Sequence, residues 1–318
     1  MTSKTPANPA LRTRVLRTLA ANRHFNVHFP GIFMGLTGRR EGRNDVTLEF
    51  DDGAWCRDSR GDVAMTALGV LLDSALGAVT RLHAGRKRRH ATVHIEAQLT
   101  GAPMRGHLKA RSKFIGWSAS SALRQGLSRA TLSAGRTPVV HASGAFVILD
   151  LPAGAPQKPP SWMTGASPGK AAVDLGTLED HEREVLEAYE RAEAGADRAH
   201  AFVDNFWGGT PVAGERAAHL TVPLSAHLGN RVGDVHGGIL FGIAARVAAA
   251  AAPAAMRLSN VSAWFLSPGQ GTALEVRSAV VHAGRSLAVV RTEIIGDKGR
   301  RVLEVTSQHV AAGLIPKS

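Results

Sequence analysis

Two short stretches carry the residues best suited to chemistry. Residues 233–245 read GDVHGGILFGIAA, so His236, Gly237 and Gly238 open an apolar run, and residues 61–73 read GDVAMTALGVLLD, ending on Asp73. The shared GDV aligns them at a spacing of 172 residues. In that frame Ala64-Met65-Thr66 stands opposite His-Gly-Gly, and Ala245 stands opposite Asp73. Each stretch holds what the other lacks. A carboxylate inside so apolar a segment is costly unless it is solvated, paired or used. Glycines at a helix start leave bare N–H groups at the positive end of the helix dipole, a place where developing negative charge is stabilised.

These stretches belong to a larger duplication. Leu99-Thr100-Gly101 corresponds to Leu266-Ser267-Pro268, Gly116-Trp117-Ser118 to Gly284-Arg285-Ser286, and Gly135-Arg136 to Gly299-Arg300. A period near 170 residues is too long for a solenoid and suits two fused copies of one compact domain. Each half opens with a helical pattern, Leu11, Val15, Leu16 and Leu19 in the first and Leu178, Val185, Leu186 and Tyr189 in the second, the latter with Thr177 as its expected N-cap. A short strand follows (46–50; 219–222), then a nearly all-apolar helix (64–80; 237–252), then four alternating segments. A helix that is apolar all round must be wrapped on most sides, and a curved antiparallel sheet is what the sequence supplies to wrap it. The expected division is an N-terminal domain over 1–150, a Pro/Gly-rich linker over 151–175 and a C-terminal domain over 176–318.

Composition sets outer bounds. A chain of 318 residues with 44% hydrophobic content has material for two cores. The single cysteine, Cys56, excludes an internal disulfide and a cysteine metal cluster, so a reducing compartment is expected. The apolar run 247–256 contains Pro253 and is too short to span a bilayer, and no secretory signal is evident, so the expected location is the cytoplasm, with no membrane partner. The net charge of +12 is uneven, with seven Lys or Arg and no acid in residues 1–40 and a knot at Arg86-Lys87-Arg88-Arg89. Aromatic residues are only 5% of the chain and no nucleic-acid motif accompanies the charge, so a phosphorylated small molecule is a better partner than nucleic acid.

The order of strand, HGG at the start of an apolar helix, and a meander containing GRSLAVV and a DKGR hairpin resembles the hotdog fold of the phenylacetyl-CoA (PaaI-like) and 4-hydroxybenzoyl-CoA thioesterases, over residues 45–150 and 215–312. The resemblance implies an α+β chain of two tandem hotdog domains, paired as an intrachain pseudo-dimer, that hydrolyses acyl-CoA without a cofactor or metal. It also implies roles. The family's catalytic carboxylate lies nine positions after the motif His and an Asn six positions before it. Asn230, His236 and Gly237 match in the second half, whereas the carboxylate position matches only in the first, at Asp73.

Helix geometry makes sense of the split. Nine residues are about 13 Å of rise and half a turn, so a carboxylate and an N-terminal N–H on one helix do not meet at one carbonyl carbon. The resemblance therefore implies one composite site, with Asp73 facing Asn230, His236 and Gly237, while the opposite place, with Ala64 and Ala245, is empty of chemistry. There the Gly237 N–H would serve as oxyanion donor and Asp73 as nucleophile or general base towards water. His236 would order the turn and polarise the carbonyl or the leaving sulfur, and Asn230 would hold water or substrate. Gly238 would let the backbone approach the acyl group, Thr92 would place a hydroxyl beside the carboxylate, and Arg86 and Arg88 would meet the CoA phosphates. The alternative is a silent double-hotdog protein that binds an acyl thioester or a partner.

Overall fold

The computed structural model describes residues 8–25, 29–85, 88–118, 124–150, 171–197, 201–230 and 232–311. The first half runs α1 (Pro9–Phe25), α2 (Phe29–Met34), β1 (Thr37–Arg40), β2 (Asp45–Asp51), α3 (Met65–Ala84), β3 (Arg88–Leu99), β4 (His107–Trp117), β5 (Gln125–Ala134) and β6 (Thr137–Asp150). The second repeats the pattern with α4 (Asp180–Ala194), α5 (Phe202–Phe206), β7 (Val212–Gly214), β8 (Ala217–Pro223), α6 (Gly237–Ala251), β9 (Met256–Phe265), β10 (Ala273–Ala283), β11 (Leu287–Ile295) and β12 (Arg301–Ala311).

All twelve strands form one antiparallel sheet in the order β1-β2-β4-β5-β6-β3-β9-β12-β11-β10-β8-β7. The order reads the same from either end, and the halves join where β3 pairs with β9, from His94 opposite Trp264 to Gln98 opposite Asn260. Strand alternation explains which face is covered. In β10, Leu274, Val276 and Ser278 are buried while Arg277 is exposed. The buried face meets the two apolar helices, α3 against β2 to β6 and α6 against β8 to β12. By length and composition α3 could cross a membrane, yet here its apolar surface is spent on the sheet and on α6.

The duplication extends to single hydrogen bonds. Arg57 bridges Val63 as Gly229 bridges Val235, and the Ala64 N–H donates to the Cys56 carbonyl at 2.8 Å as the His236 N–H donates to that of Leu228 at 2.9 Å. Gly61 and Gly233 take φ of 80° and 87°, which a side chain would resist.

Several local expectations differ from what folds. The N-cap of α4 is Glu179, in a reciprocal capping box with Glu182, whereas Thr177 sits in the 3-10 turn before it. The α3 helix continues to Ala84 rather than stopping near residue 80. The strand alignment shifts by one residue. The Thr100 N–H donates to the Val139 carbonyl and the Leu266 N–H to that of Val302, so Leu99 matches Phe265 and not Leu266. Residues 151–170 of the expected linker lie outside the described residues; Val173 packs in the core and bonds through its N–H to the Leu16 carbonyl.

Candidate active site

Three glycines bring α3 and α6 into contact. A Cβ added at Gly69 would lie 2.1 Å from the Gly238 carbonyl oxygen, one at Gly238 2.2 Å from that of Gly69, and one at Gly242 2.3 Å from the Thr66 Cα. These contacts run in opposite senses along the two helices, which are therefore antiparallel, and they carry the start of α6 alongside Asp73.

At that point the two halves share a polar cluster. Asp73 is only 8% exposed, so its charge needs partners. The Thr92 hydroxyl donates to Asp73 Oδ1 at 2.8 Å, and the Gly238 N–H donates to Oδ2 at 3.0 Å. The carboxylate thus accepts from β3 of its own half and from the helix start of the other, with the α6 dipole adding to the attraction. His236 is the N-cap of α6. Its Nδ1 accepts from the same Gly238 N–H at 3.0 Å and stands 3.4 Å from Asp73 Oδ2. Burial pushes the imidazole below its usual pKa, with Asp73 pulling the other way. With Nδ1 as acceptor, the neutral ring carries its proton on Nε2.

Gly237 is the open position of the motif. Its N–H has no hydrogen-bond partner among the described residues, and a Cβ there would lie 2.9 Å from Asp73 Oδ2 and 3.3 Å from Thr92 Oγ1. A side chain would press on the carboxylate; glycine leaves room for a reacting group between the N–H and the acid.

The structure brings together Asp73, Thr92, His236, Gly237 and Gly238. Gly238, expected against a substrate, is used by the helix crossing and by the carboxylate. Asn230 holds the turn that precedes α6, its Oδ1 accepting from the N–H groups of Val232 at 2.9 Å and Asp234 at 3.2 Å. Asp58 does the same in the first half, accepting from Arg60 and Asp62, so this carbonyl is a fixture of the loop in both halves. Arg88 is an exposed residue whose Nε is 3.5 Å from an Asp150 carboxylate oxygen. Arg86 lies outside the described residues.

The opposite place is stripped more fully than the sequence alone reveals. A bulge falls between Thr92 and His94 where β3 pairs with β6, and between Leu258 and Asn260 where β9 pairs with β12. Leu258 therefore holds in β9 the position of Thr92 in β3. The carboxylate, its hydroxyl partner and the imidazole of one side become Ala245, Leu258 and Ala64 on the other. Arg246, the counterpart of Ser74, is taken up in bonds to Asp204 Oδ1 at 3.0 Å and the Gly209 carbonyl at 2.9 Å. The shift from a 172-residue to a 166-residue offset across the loop and bulge hides Leu258 from a reading of the sequence. Gly69 and Gly242 were also missed, although a glycine inside an apolar helix is itself a signal of close packing.

Residues 227–310 match the family model of the acyl-CoA thioesterase N-terminal domain. No curated protein matches the chain by sequence. Among solved structures, a protein from Novosphingobium aromaticivorans assigned as a thioesterase superposes with a TM-score of 0.54 at 11% identity, covering 88% of this chain and 99% of that one. A hotdog protein of unknown function from Alicyclobacillus acidocaldarius gives 0.52 at 10% identity, covering 89% and 98%. A protein from Lactobacillus plantarum assigned as an oleoyl thioesterase gives 0.51 at 10% identity, covering 86% and 97%. At such identities these likenesses speak to the fold, over nearly the whole length of each. The chain has the tandem hotdog fold, and residues 227–310 of its second half match the model of an acyl-CoA thioesterase domain.

Proposed function

We propose that the protein hydrolyses acyl-CoA thioesters at one composite site per chain, formed by Asp73 and Thr92 of the first half with His236 and Gly237 of the second. The observation that carries this reading is the meeting of a buried carboxylate with the start of α6 across the two halves, through the 3.0 Å bond from the Gly238 N–H, while the neighbouring Gly237 N–H has no partner among the described residues. The two halves act as an intrachain pseudo-dimer, so the site is complete within one chain.

In this reading the thioester carbonyl oxygen lies at the Gly237 N–H, which with the helix dipole stabilises the oxyanion of the tetrahedral intermediate. Asp73 takes a proton from water as the water oxygen attacks the carbonyl carbon, and the intermediate then expels the CoA sulfur, which recovers that proton. In the alternative route Asp73 attacks the carbon itself and water cleaves the resulting anhydride. Thr92 and Gly238 hold the carboxylate in place, and neutral His236 fixes the turn that aims the Gly237 N–H.

The test is thiol release from a panel of acyl-CoAs by the wild-type chain and by Asp73→Asn. Turnover by the wild type that falls at least a hundredfold in Asp73→Asn supports the site, whereas wild-type silence on every acyl class, with CoA still bound, would establish the silent binder. A single turnover in ¹⁸O-water identifies the anhydride route if label enters the Asp73 carboxylate, which requires water to cleave the anhydride at the aspartyl carbon.

A further inference from the structure

The last turn of α3 holds a cation, Arg81, with no counter-charge among the described residues. Arg81 lies eight residues beyond Asp73, about 12 Å along the helix and about 80° round its axis. α6 begins beside Asp73, so this stretch of α3 runs beyond the helix crossing.

Arg81 is half-buried, and desolvation lowers its pKa with no carboxylate working against it. It has no ion pair and no hydrogen-bond acceptor among the described residues, and the segments outside them contain no Asp or Glu. Leaving a guanidinium in that state is expensive for a protein that could have placed a neutral side chain there. The other desolvated arginines of this chain are matched: Arg246 has Asp204, and Arg14 donates from Nε to the Phe33 carbonyl at 2.6 Å and lies over the Trp55 ring.

The duplication supplies an independent argument. In the 172-residue frame that opposes Asp73 to Ala245, Arg81 is opposed to Pro253, just past the end of α6 and without a donor. The unpaired cation thus occurs only on the side that keeps Asp73, Thr92 and His236. A guanidinium needed for folding alone has no reason to follow the chemistry.

We propose that Arg81 is a substrate-binding residue that takes an anionic group of the acyl thioester, a phosphate or a carboxylate, held along α3 from the reacting carbon at Asp73. This rests on the thioesterase reading. A planar fork of donors suits either anion. The anion comes from one of two parts of the substrate, the phosphates of the CoA nucleotide or a second carboxylate on the acyl group.

The experiment measures kcat and KM of the wild type, Arg81→Gln and Arg81→Lys on four thioesters. One acyl group is presented on CoA and on phosphate-free pantetheine, and a monocarboxylic and a dicarboxylic acyl group of equal length are both presented on CoA. A charge-assisted hydrogen bond lost on Arg81→Gln should raise KM about tenfold or more for the anion-bearing member of one pair, with kcat changed far less, and Arg81→Lys should restore part of it. Loss of discrimination between CoA and pantetheine assigns the anion to the nucleotide. Loss of discrimination between dicarboxylic and monocarboxylic acyl groups assigns it to the acyl group. Equal losses on all four thioesters, or none, overturn the proposal and leave Arg81 a structural residue. Equilibrium binding of free CoA, pantetheine and a free dicarboxylate to the wild type and Arg81→Gln keeps the proposal testable if no thioester turns over. Unchanged affinity for all three would again refute it, without bearing on whether the protein is a hydrolase.

Discussion

At the scale of residues, the proposed chemistry depends on parts from different halves acting as one. Asp73 and His236 are 163 positions apart in sequence, yet Nδ1 and Oδ2 stand 3.4 Å apart with one N–H shared between them. Groups that work as a unit are strongly non-additive, so Asp73→Ala and His236→Ala should each reduce kcat/KM by about a hundredfold or more, and the double variant should be little worse than either. Ala245→Asp should not rescue Asp73→Ala, because the new carboxylate would face Ala64 and Leu258. Rescue would mean that a carboxylate works with the HGG of its own half. Asp73, His236 and Gly237 were legible in the sequence because the frame set by GDV holds from the loop through the helix. Thr92 was legible only as a hydroxyl near the right strand. Its opposite number, Leu258, was not, because a bulge and a shortened loop change the offset between the copies. The turn-forming use of the Asn230 carbonyl was equally hidden, since Asn and Asp serve a tight turn alike.

At the scale of elements, the site is placed by how closely α3 and α6 approach. Gly238 serves this crossing while its N–H serves the carboxylate, so packing and electrostatics are coupled at one residue. Gly238→Ala would drive a methyl group to about the Gly69 carbonyl oxygen, 2.2 Å from the Cβ position. The helices must part, which should destabilise the fold by about 1–3 kcal/mol, as overpacking does. Gly69→Ala meets the same backbone from the other side, at 2.1 Å from the Gly238 carbonyl. Thermal unfolding of both variants, read beside kcat, should show a lowered Tm and also a loss of turnover in Gly69→Ala, although Gly69 has no side chain and meets Asp73 only through the helix backbone. A destabilised Gly69→Ala enzyme with full turnover would show that the spacing of the helices does not set the site. Periodicity revealed both long helices and the two meanders, because long elements average over local noise. The short pieces α2, α5, β1 and β7 escaped notice; with three to six residues each they offer too few positions for a period to appear.

At the scale of the whole molecule, the same burial that shelters the site makes the fold sensitive to acid. His227 lies in the helical layer, its Nε2 2.6 Å from the Phe206 carbonyl oxygen and its Nδ1 2.6 Å from the Ser225 hydroxyl, with the Phe206 ring stacked on it. Desolvation pushes its pKa down to about 4. His309 of β12 is likewise buried, with Ser307 at 3.0 Å, and desolvation pushes it down to about 4. An unfolded chain takes up these protons near pH 6.5, whereas the folded chain resists them until about pH 4, so the unfolded state binds more protons throughout that window. Stability should therefore be level above pH 7 and fall as the pH drops from about 6.5 towards 4, with His227 accounting for a loss on the order of 3 kcal/mol by the end. The duplication offers a control, because the register that opposes Leu258 to Thr92 also opposes His309 to Phe146, which pairs with Thr92 across the strand. In His309→Phe, denaturant unfolding followed from pH 8 to pH 4 should show a shallower fall than in the wild type, by about one proton's share of the slope. An unchanged slope would mean that His309 already titrates normally in the folded chain, and that the space beneath β12 is wetter than its packing implies.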